Sequence, residues 1–301
     1  MTPSQNALDG KAVALMLFLT LSWGLNSVLA KISTTGYDPV FLTVARSAIA
    51  AAAVYAWCLY RRINLFEHDG TLIPGIAAGI FFGLEFLAMF IGFEYSSVGR
   101  ISLLVNTMPF FVLVCAHYFL GERMTPAKVA GLVLAFIGVA IIFSDKMPVA
   151  GDQVWIGDLL GLAAAVLWAA TTLVIKGTRL TTASAEKVLM YQLVVSAIVI
   201  APMLLTIDNP IRDPDWTSTA ALLTQAVFIV AFTYVLWFWL MRQYPASALS
   251  SFTFLTPAFS VFGGWLILSE PVSWRLALSL AMIGAGIYIV NRPRRTVPPS
   301  A

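Results

Sequence analysis

The sequence predicts an all-α polytopic membrane protein, with ten transmembrane helices arranged as two inverted five-helix repeats around a central cavity. Three observations predict it. The composition is too apolar for a water-soluble globule, the apolar residues fall into ten runs long enough to span a bilayer, and the second half of the chain echoes the first at a nearly constant offset.

Composition comes first. Of 301 residues, 59% are hydrophobic and 11% charged, and the mean hydropathy is +0.86. So few charges cannot coat a globule of this size, which excludes an ordinary soluble enzyme. The net charge is only +3, and no basic cluster is interleaved with stacking aromatics, so nucleic acid is not an expected partner. Cys58 and Cys115 sit in apolar runs without metal-ligand spacing. They predict neither a disulfide framework nor a zinc site, and no cofactor is expected.

A helix of roughly 20 apolar residues crosses the hydrocarbon slab. Ten such runs occupy approximately 12–31, 38–60, 71–94, 97–119, 126–144, 155–177, 185–206, 218–240, 246–267 and 274–292. Runs this continuous are helices, not barrel strands. The first lacks a basic segment before it and exceeds a signal-peptide core, so it is expected to be retained. The side holding both termini carries twelve Lys and Arg (Lys11, Arg61, Arg62, Arg123, Lys128, Lys176, Arg179, Lys187, Arg242, Arg292, Arg294, Arg295) against five on the other (Lys31, Arg100, Lys146, Arg212, Arg275). Basic residues favour the cytoplasm, which places both termini inside.

The repeat is read from ordered matches. Pro109, Glu122 and Gly138 recur as Pro257, Glu270 and Gly286 at an offset of 148, and "FLGERMT" is echoed by "ILSEPVS". Trp23 and Lys31 recur as Trp168 and Lys176 at an offset of 145. Two units follow, residues 1–148 and 149–301. Each holds five runs, an odd number, so the second must enter the membrane from the opposite side. Thr125 and Ser273 are expected to cap the fifth and tenth helices.

With the tryptophans of the first and sixth runs, Arg46 in the second, and the paired "P-x12-E" segments, the chain resembles the drug/metabolite transporter superfamily in its EamA-like branch. Within that branch it is most similar to bacterial aromatic amino acid exporters of the YddG type. The resemblance covers essentially the whole chain. It implies a ten-helix inner-membrane exporter with a central cavity and a small-molecule substrate. Two departures are visible: Ser269 stands where the first half has Gly121, and Arg46 has no basic counterpart.

Ionisable groups deep in a span are costly and therefore functional candidates. At ~1.5 Å per residue, Arg46 lies ~12 Å below the outer surface and Glu85 ~20 Å from the inner face of a ~30 Å slab, close enough in depth to pair. The structural reading is a self-neutralising pair tying the second and third helices together. The functional reading places one of them in the cavity, holding a substrate carboxylate or amino group, or has Glu85 take up a proton to drive export. Through the repeat, Arg46 corresponds to Tyr191 and Glu85 to Tyr234. If these positions line one cavity, it is ionic on one wall and aromatic on the other, which suits an aromatic zwitterion.

The fourth and ninth runs carry matched stripes, Ser102, Asn106 and Pro109 against Ser250, Phe254 and Pro257. Each proline frees a carbonyl that lipid cannot satisfy, so these faces are expected to look inward. Trp23 with Asn26, Trp168 with Thr171 and Thr172, Trp237 with Tyr234, and Met89 with Glu85 share helical faces and complete the candidate substrate-binding set. Small-residue ladders, Gly131, Ala135 and Gly138 in one half and Ala277, Ala281 and Ala285 in the other, fit packing within a monomer or a dimer seam. His68, His117, Glu122 and Glu270 read as loop or interfacial residues, and the basic tail from Asn291 suits anionic headgroups.

No G-x4-G-K-[ST] pattern occurs, so any pumping must draw on an ion gradient or exchange, with proton coupling as one form. An intramembrane enzyme is disfavoured: Glu85 stands alone among deep acids and the histidines lack a serine partner. Within the transporter class, drugs, nucleosides and other metabolites remain alternative cargoes. A nucleotide-sugar would call for several cavity Arg or Lys, where only Arg46 is deeply placed.

Overall fold

The computed structural model describes residues 8–96, 98–143, 153–268 and 274–292. They form helices joined by short turns: α1 (Gly10–Ser33), α2 (Pro39–Arg61), α3 (Leu72–Tyr95), α4 (Val98–Val105), α5 (Met108–Phe119), α6 (Pro126–Phe143), α7 (Val154–Gly177), α8 (Ala185–Ile200), α9 (Trp216–Thr224), α10 (Tyr234–Gln243), α11 (Ala246–Ser251), α12 (Leu255–Leu268) and α13 (Trp274–Asn291). Lys31 belongs to α1 and Arg100 and Ser102 to α4, but their side chains lie outside the described set. Lys146, Ser269, Glu270, Ser273 and the tail from residue 293 lie outside the described residues.

Among the described residues, eight helical stretches are long and apolar enough to cross a membrane: Gly10–Ala30, Pro39–Arg61, Leu72–Met89, Val154–Gly177, Ala185–Thr206, Trp216–Gln243, Ala246–Ile267 and Trp274–Asn291. Two more apolar helices, Leu103–Phe119 and Pro126–Ile141, fall short of that length. The fourth run is one that the chain interrupts. Pro109 cannot donate to Val105, and the backbone turns at Asn106 and Thr107 between α4 and α5.

Helix starts follow local chemistry. Asp9 accepts from the Ala12 amide at 2.7 Å and opens α1, and Asp38 accepts from Val40 at 2.8 Å with Pro39 in the first turn of α2. Asp215 and Ser218 form a reciprocal box at the start of α9, and those amide bonds hold the Asp215 carboxyl below the usual range. Thr125 caps α6 as expected, its hydroxyl accepting from Lys128 at 3.3 Å.

Close backbone approach decides which helices touch. Gly75, Gly79 and Gly83 form one stripe on α3 against α8, where an added Cβ would meet the Tyr191 ring at 2.5 Å and the Val195 Cβ at 2.5 Å. Neither neighbour could yield without moving the helix. α6 packs on α13 through Gly131, where an added Cβ would stand 2.7 Å from the Gly286 carbonyl, and the Ser279 hydroxyl donates to Gly138 at 2.7 Å. The ladder expected on α13 is thus corrected. Ala277, Ala281 and Ala285 are exposed, and Ser279, Ile283, Gly286 and Val290 make the seam, because α6 meets the opposite helical face.

Large apolar side chains cover the outside of the bundle, Ile73, Leu205 and Ile198 among them, as lipid-facing surface requires. Trp57, Tyr60, Tyr118, Trp155, Trp216 and Trp274 are exposed near helix ends, where interfacial aromatics belong.

The stretch between α9 and α10 departs from the expected regular helix. Gln225–Thr233 is a nine-residue π-helix. It is fastened to α1 at both ends: Gln225 Nε2 donates to Ser33 Oγ at 2.8 Å, and the Trp23 indole N–H donates to Thr233 Oγ1 at 3.0 Å. Segments of this kind are rare and concentrate at functional sites.

Candidate substrate cavity

A cavity of about 190 Å³ lies between the two halves. α1 contributes Trp23 and Asn26; α3 contributes Phe82, Glu85, Phe86 and Met89; the α4–α5 break contributes Val105 and Asn106. From the second half come Trp168, Thr171, Thr172 and Ile175 of α7, Gln192 of α8, Tyr234, Trp237 and Phe238 of α10, and Thr256, Pro257 and Ser260 of α12.

The aromatic part is organised by Trp23. Its ring stands edge-on to Trp237 at 5.4 Å, to Tyr234 at 5.8 Å and to Trp168 at 6.5 Å, and Phe82 continues the cluster against Tyr234 at 6.0 Å. These are favourable edge-to-face spacings. The bond from Trp23 to the π-helix fixes the ring that the others surround.

The polar part consists largely of acceptors. Asn26 Oδ1, Glu85 Oε2, Gln192 Oε1 and Thr256 Oγ1 are buried and have no hydrogen-bond partner among the described residues. Gln192 is oriented by its own amide nitrogen, which donates to the Val188 carbonyl at 3.4 Å and so leaves the oxygen for the cavity. Buried polar atoms are ordinarily satisfied, so four on one cavity wall call for an explanation.

Nine of the twelve residues expected to meet substrate are on this wall: Trp23, Asn26, Glu85, Met89, Asn106, Trp168, Thr172, Tyr234 and Trp237. Three are not. Arg46 is buried behind the lining, its guanidinium over the Phe86 ring at 4.1 Å, where it interacts electrostatically with Glu85 and Tyr234. Tyr191 is drawn away because Gly75 offers it a bare backbone to pack on, and its hydroxyl reaches Thr71 at 3.2 Å. Phe254 is fully buried in a 3-10 turn (Phe252–Phe254) joining α11 to α12, edge-on to Phe110 at 6.2 Å and Phe136 at 6.5 Å. That turn breaks the helical phase, so a stripe read at a spacing of four no longer points one way.

Phe82, Phe86, Gln192, Thr256 and Ser260 were not anticipated. Phe82 and Phe86 stand four apart on α3 with Glu85 between them, a signal hidden by the phenylalanines elsewhere. Gln192 carried a usable signal, being a neutral amide well inside an apolar run.

At one end of the bundle the two halves are tied together. The Glu122 carboxylate, on the α5–α6 loop, accepts from the Ala246 amide at 2.8 Å and the Ser247 amide at 3.3 Å, and from the Ser247 hydroxyl. It thereby caps α11, a role the loop reading of Glu122 missed. Lys128 reaches Ser247 Oγ at 3.0 Å across the halves, whereas Lys176 donates to the Met241 and Tyr244 carbonyls at 2.6 and 2.7 Å within the second half. At the other end Asp38 pairs with Arg212 at 2.8 Å, and Tyr37 bridges to Ile211. His117 Nδ1 lies 3.0 Å from the Glu122 carbonyl, a satisfied surface contact, and His68 is exposed.

Residues 10–144 and 155–292 each match the EamA-like transporter family. The chain belongs to that family. Among its relatives, the uncharacterized transporter YoaV of Bacillus subtilis is 28% identical over 279 residues, 91% of this chain and 94% of that protein. A probable amino-acid metabolite efflux pump of Escherichia coli is 24% identical, with 91% and 93% covered. An S-adenosylmethionine/S-adenosylhomocysteine transporter of Chlamydia trachomatis is 25% identical, with 93% and 88% covered. A solved crystal structure superposes with a TM-score of 0.79 at 19% identity, covering 92% of this chain and 96% of that one, which shows the shared fold. This family member is therefore a multi-pass membrane transporter.

Proposed function

We propose that this EamA-family protein exports small amphipathic metabolites, aromatic or other neutral amino acids foremost, across the bacterial inner membrane by alternating access. The observation that carries the reading is the composition of the cavity wall, where an aromatic cluster faces buried acceptors and both halves of the chain contribute. Its volume of about 190 Å³ lies below the ~300–1,000 Å³ of drug-sized sites, which favours an amino acid over a nucleoside-bearing cargo.

In this reading the chain crosses the membrane ten times. α4 and α5 make one bent crossing, and the 18 residues of α6 reach ~27 Å at ~1.5 Å each, close to the hydrocarbon thickness. Five crossings per half invert the second unit relative to the first. The surplus of Lys and Arg on the side of the termini places both in the cytoplasm. Breaks at Asn106–Thr107 and Phe252–Phe254, beside the cavity, are the discontinuities expected of a midplane binding site. The unit of function is a monomer, and the proton gradient is the driving force to test first, with Glu85 as the lining carboxyl.

The deciding experiment is efflux from proteoliposomes loaded with a panel of amino acids, nucleosides and cationic drugs. Preference for phenylalanine, tyrosine or tryptophan is the expected outcome. Preference for nucleosides or drugs overturns the cargo, and efflux indifferent to an imposed proton gradient removes Glu85 from coupling.

A further inference from the structure

We infer that the cavity recognises the ammonium group of its cargo and leaves the carboxylate largely unread, so that arylalkyl amines and amino acid amides are ligands alongside the amino acids. The inference rests on the aromatic amino acid reading and narrows it.

Three of the atoms that wait for a partner are acceptors, and the fourth, the Thr256 hydroxyl, can accept as well as donate. Glu85 Oε2, Gln192 Oε1, Asn26 Oδ1 and Thr256 Oγ1 come from four different helices, α3, α8, α1 and α12, onto one wall. Glu85 and Gln192 are more than nine-tenths buried. A ligand that satisfies them must bring several N–H donors on one atom and a positive charge, which describes a primary ammonium. The rings of Trp23 and Tyr234 line the same cavity, where a ring face suits the cation and a ring edge suits the aromatic tail beyond it.

The complementary group is missing from the lining. Among the described residues Glu85 is the one carboxyl side chain on the cavity wall, and no Lys, Arg or His stands there to hold a carboxylate. Arg46 meets Glu85 from behind Phe86, outside the lining. A substrate carboxylate would face neutral dipoles, so its removal sacrifices little. Removal of the amine leaves the buried acceptors unsatisfied, the situation in which sites reject analogues most strongly.

Thermal-shift titration of the purified full-length protein with phenylalanine, phenylalaninamide, phenethylamine and 3-phenylpropionate tests this directly. The amide and the amine are expected to bind within about threefold of phenylalanine, and 3-phenylpropionate at least about tenfold more weakly. Binding of 3-phenylpropionate as tight as phenylalanine, with phenethylamine inactive, overturns the inference while leaving the aromatic cargo in place. Silence from all four overturns both. Thr256→Val removes one hydroxyl that can accept while leaving Glu85 and Arg46 in place, and it is expected to narrow the gap between amine and acid; an unchanged gap counts against the site.

Discussion

The two halves use equivalent positions differently. In the first, the helix crossing the cavity breaks at Asn106 and Thr107 and leaves Asn106 on the wall. In the second, the matching break at Phe252–Phe254 turns Phe254 into the packing between α5, α6 and α12. Arg46 and Tyr191 both leave the wall, one behind Phe86 and the other onto Gly75. Glu85 with Tyr234, and Trp23 with Trp168, stay on it. Repetition of a sequence therefore preserves helix placement better than side-chain direction. Direction depends on neighbours, and the neighbours are not repeated: α3 offers α8 a glycine stripe, and the π-helix in the second half shifts the phase just before Tyr234.

The largest expected effect tests the seam. Gly79→Leu drives a side chain into Val195 and should destabilise the protein by about 3 kcal/mol or more, read as loss of folded protein on size-exclusion chromatography. The same change at Gly10, where an added Cβ meets nothing within 4 Å, should be tolerated. If both behave alike, α3 and α8 are not in contact at Gly79.

Next comes the aromatic hub. Trp23→Ala strips the ring that three others surround and should cost about 3–5 kcal/mol together with most transport activity. Trp23→Phe, which keeps an aromatic ring but loses the bond to Thr233, should cost only about 1 kcal/mol. Melting temperature and efflux measured side by side separate the two. The matched position gives the contrast: the Trp168 indole makes no hydrogen bond to the described residues, so Trp168→Phe should melt closer to the parent.

Glu122→Ala removes the acceptor for two amides of α11 and should lower stability by about 1–2 kcal/mol. In the alternating-access reading it also loosens one end of the bundle, so cysteine accessibility at Ser250 should rise. Tyr191→Phe, by contrast, deletes one long bond to Thr71 and should shift the melting temperature by less than about 1 kcal/mol allows. A large loss of transport on Tyr191→Phe would return that residue to the site.

The smallest effect is a pH dependence at the α2–α3 loop. The Thr71 hydroxyl and the Lys187 ammonium hold the Asp69 carboxyl below its usual range. Because the folded-state pKa is depressed, the contribution is complete above the unfolded carboxyl value of ~3.9 and is lost as pH falls through the folded value. Hydrogen exchange in residues 63–71 should accelerate as the pH is lowered through that region. Lys187→Met should move the onset to higher pH.

Much of the architecture is legible in the sequence. Apolar runs fixed where helices lie, because lipid leaves the backbone no other way to satisfy itself. Buried charge pointed to Arg46 and Glu85, and helical spacing grouped Trp23 with Asn26 and Tyr234 with Trp237. What stayed hidden involved phase and partners. A π-helix at Gln225–Thr233 and a 3-10 turn at Phe252–Phe254 alter residues per turn without a compositional mark, and the trans cap by Glu122 joins residues 124 apart.

The sequence by itself determined the class of molecule, the positions of its helices and the inventory of groups available to a cavity, since these depend on hydropathy and local spacing. Only the tertiary structure decided which of those groups share a wall. Helix rotation is set by where glycine lets two backbones approach and where a broken helix changes phase, so Gln192 turned inward while Tyr191, its chain neighbour, turned away.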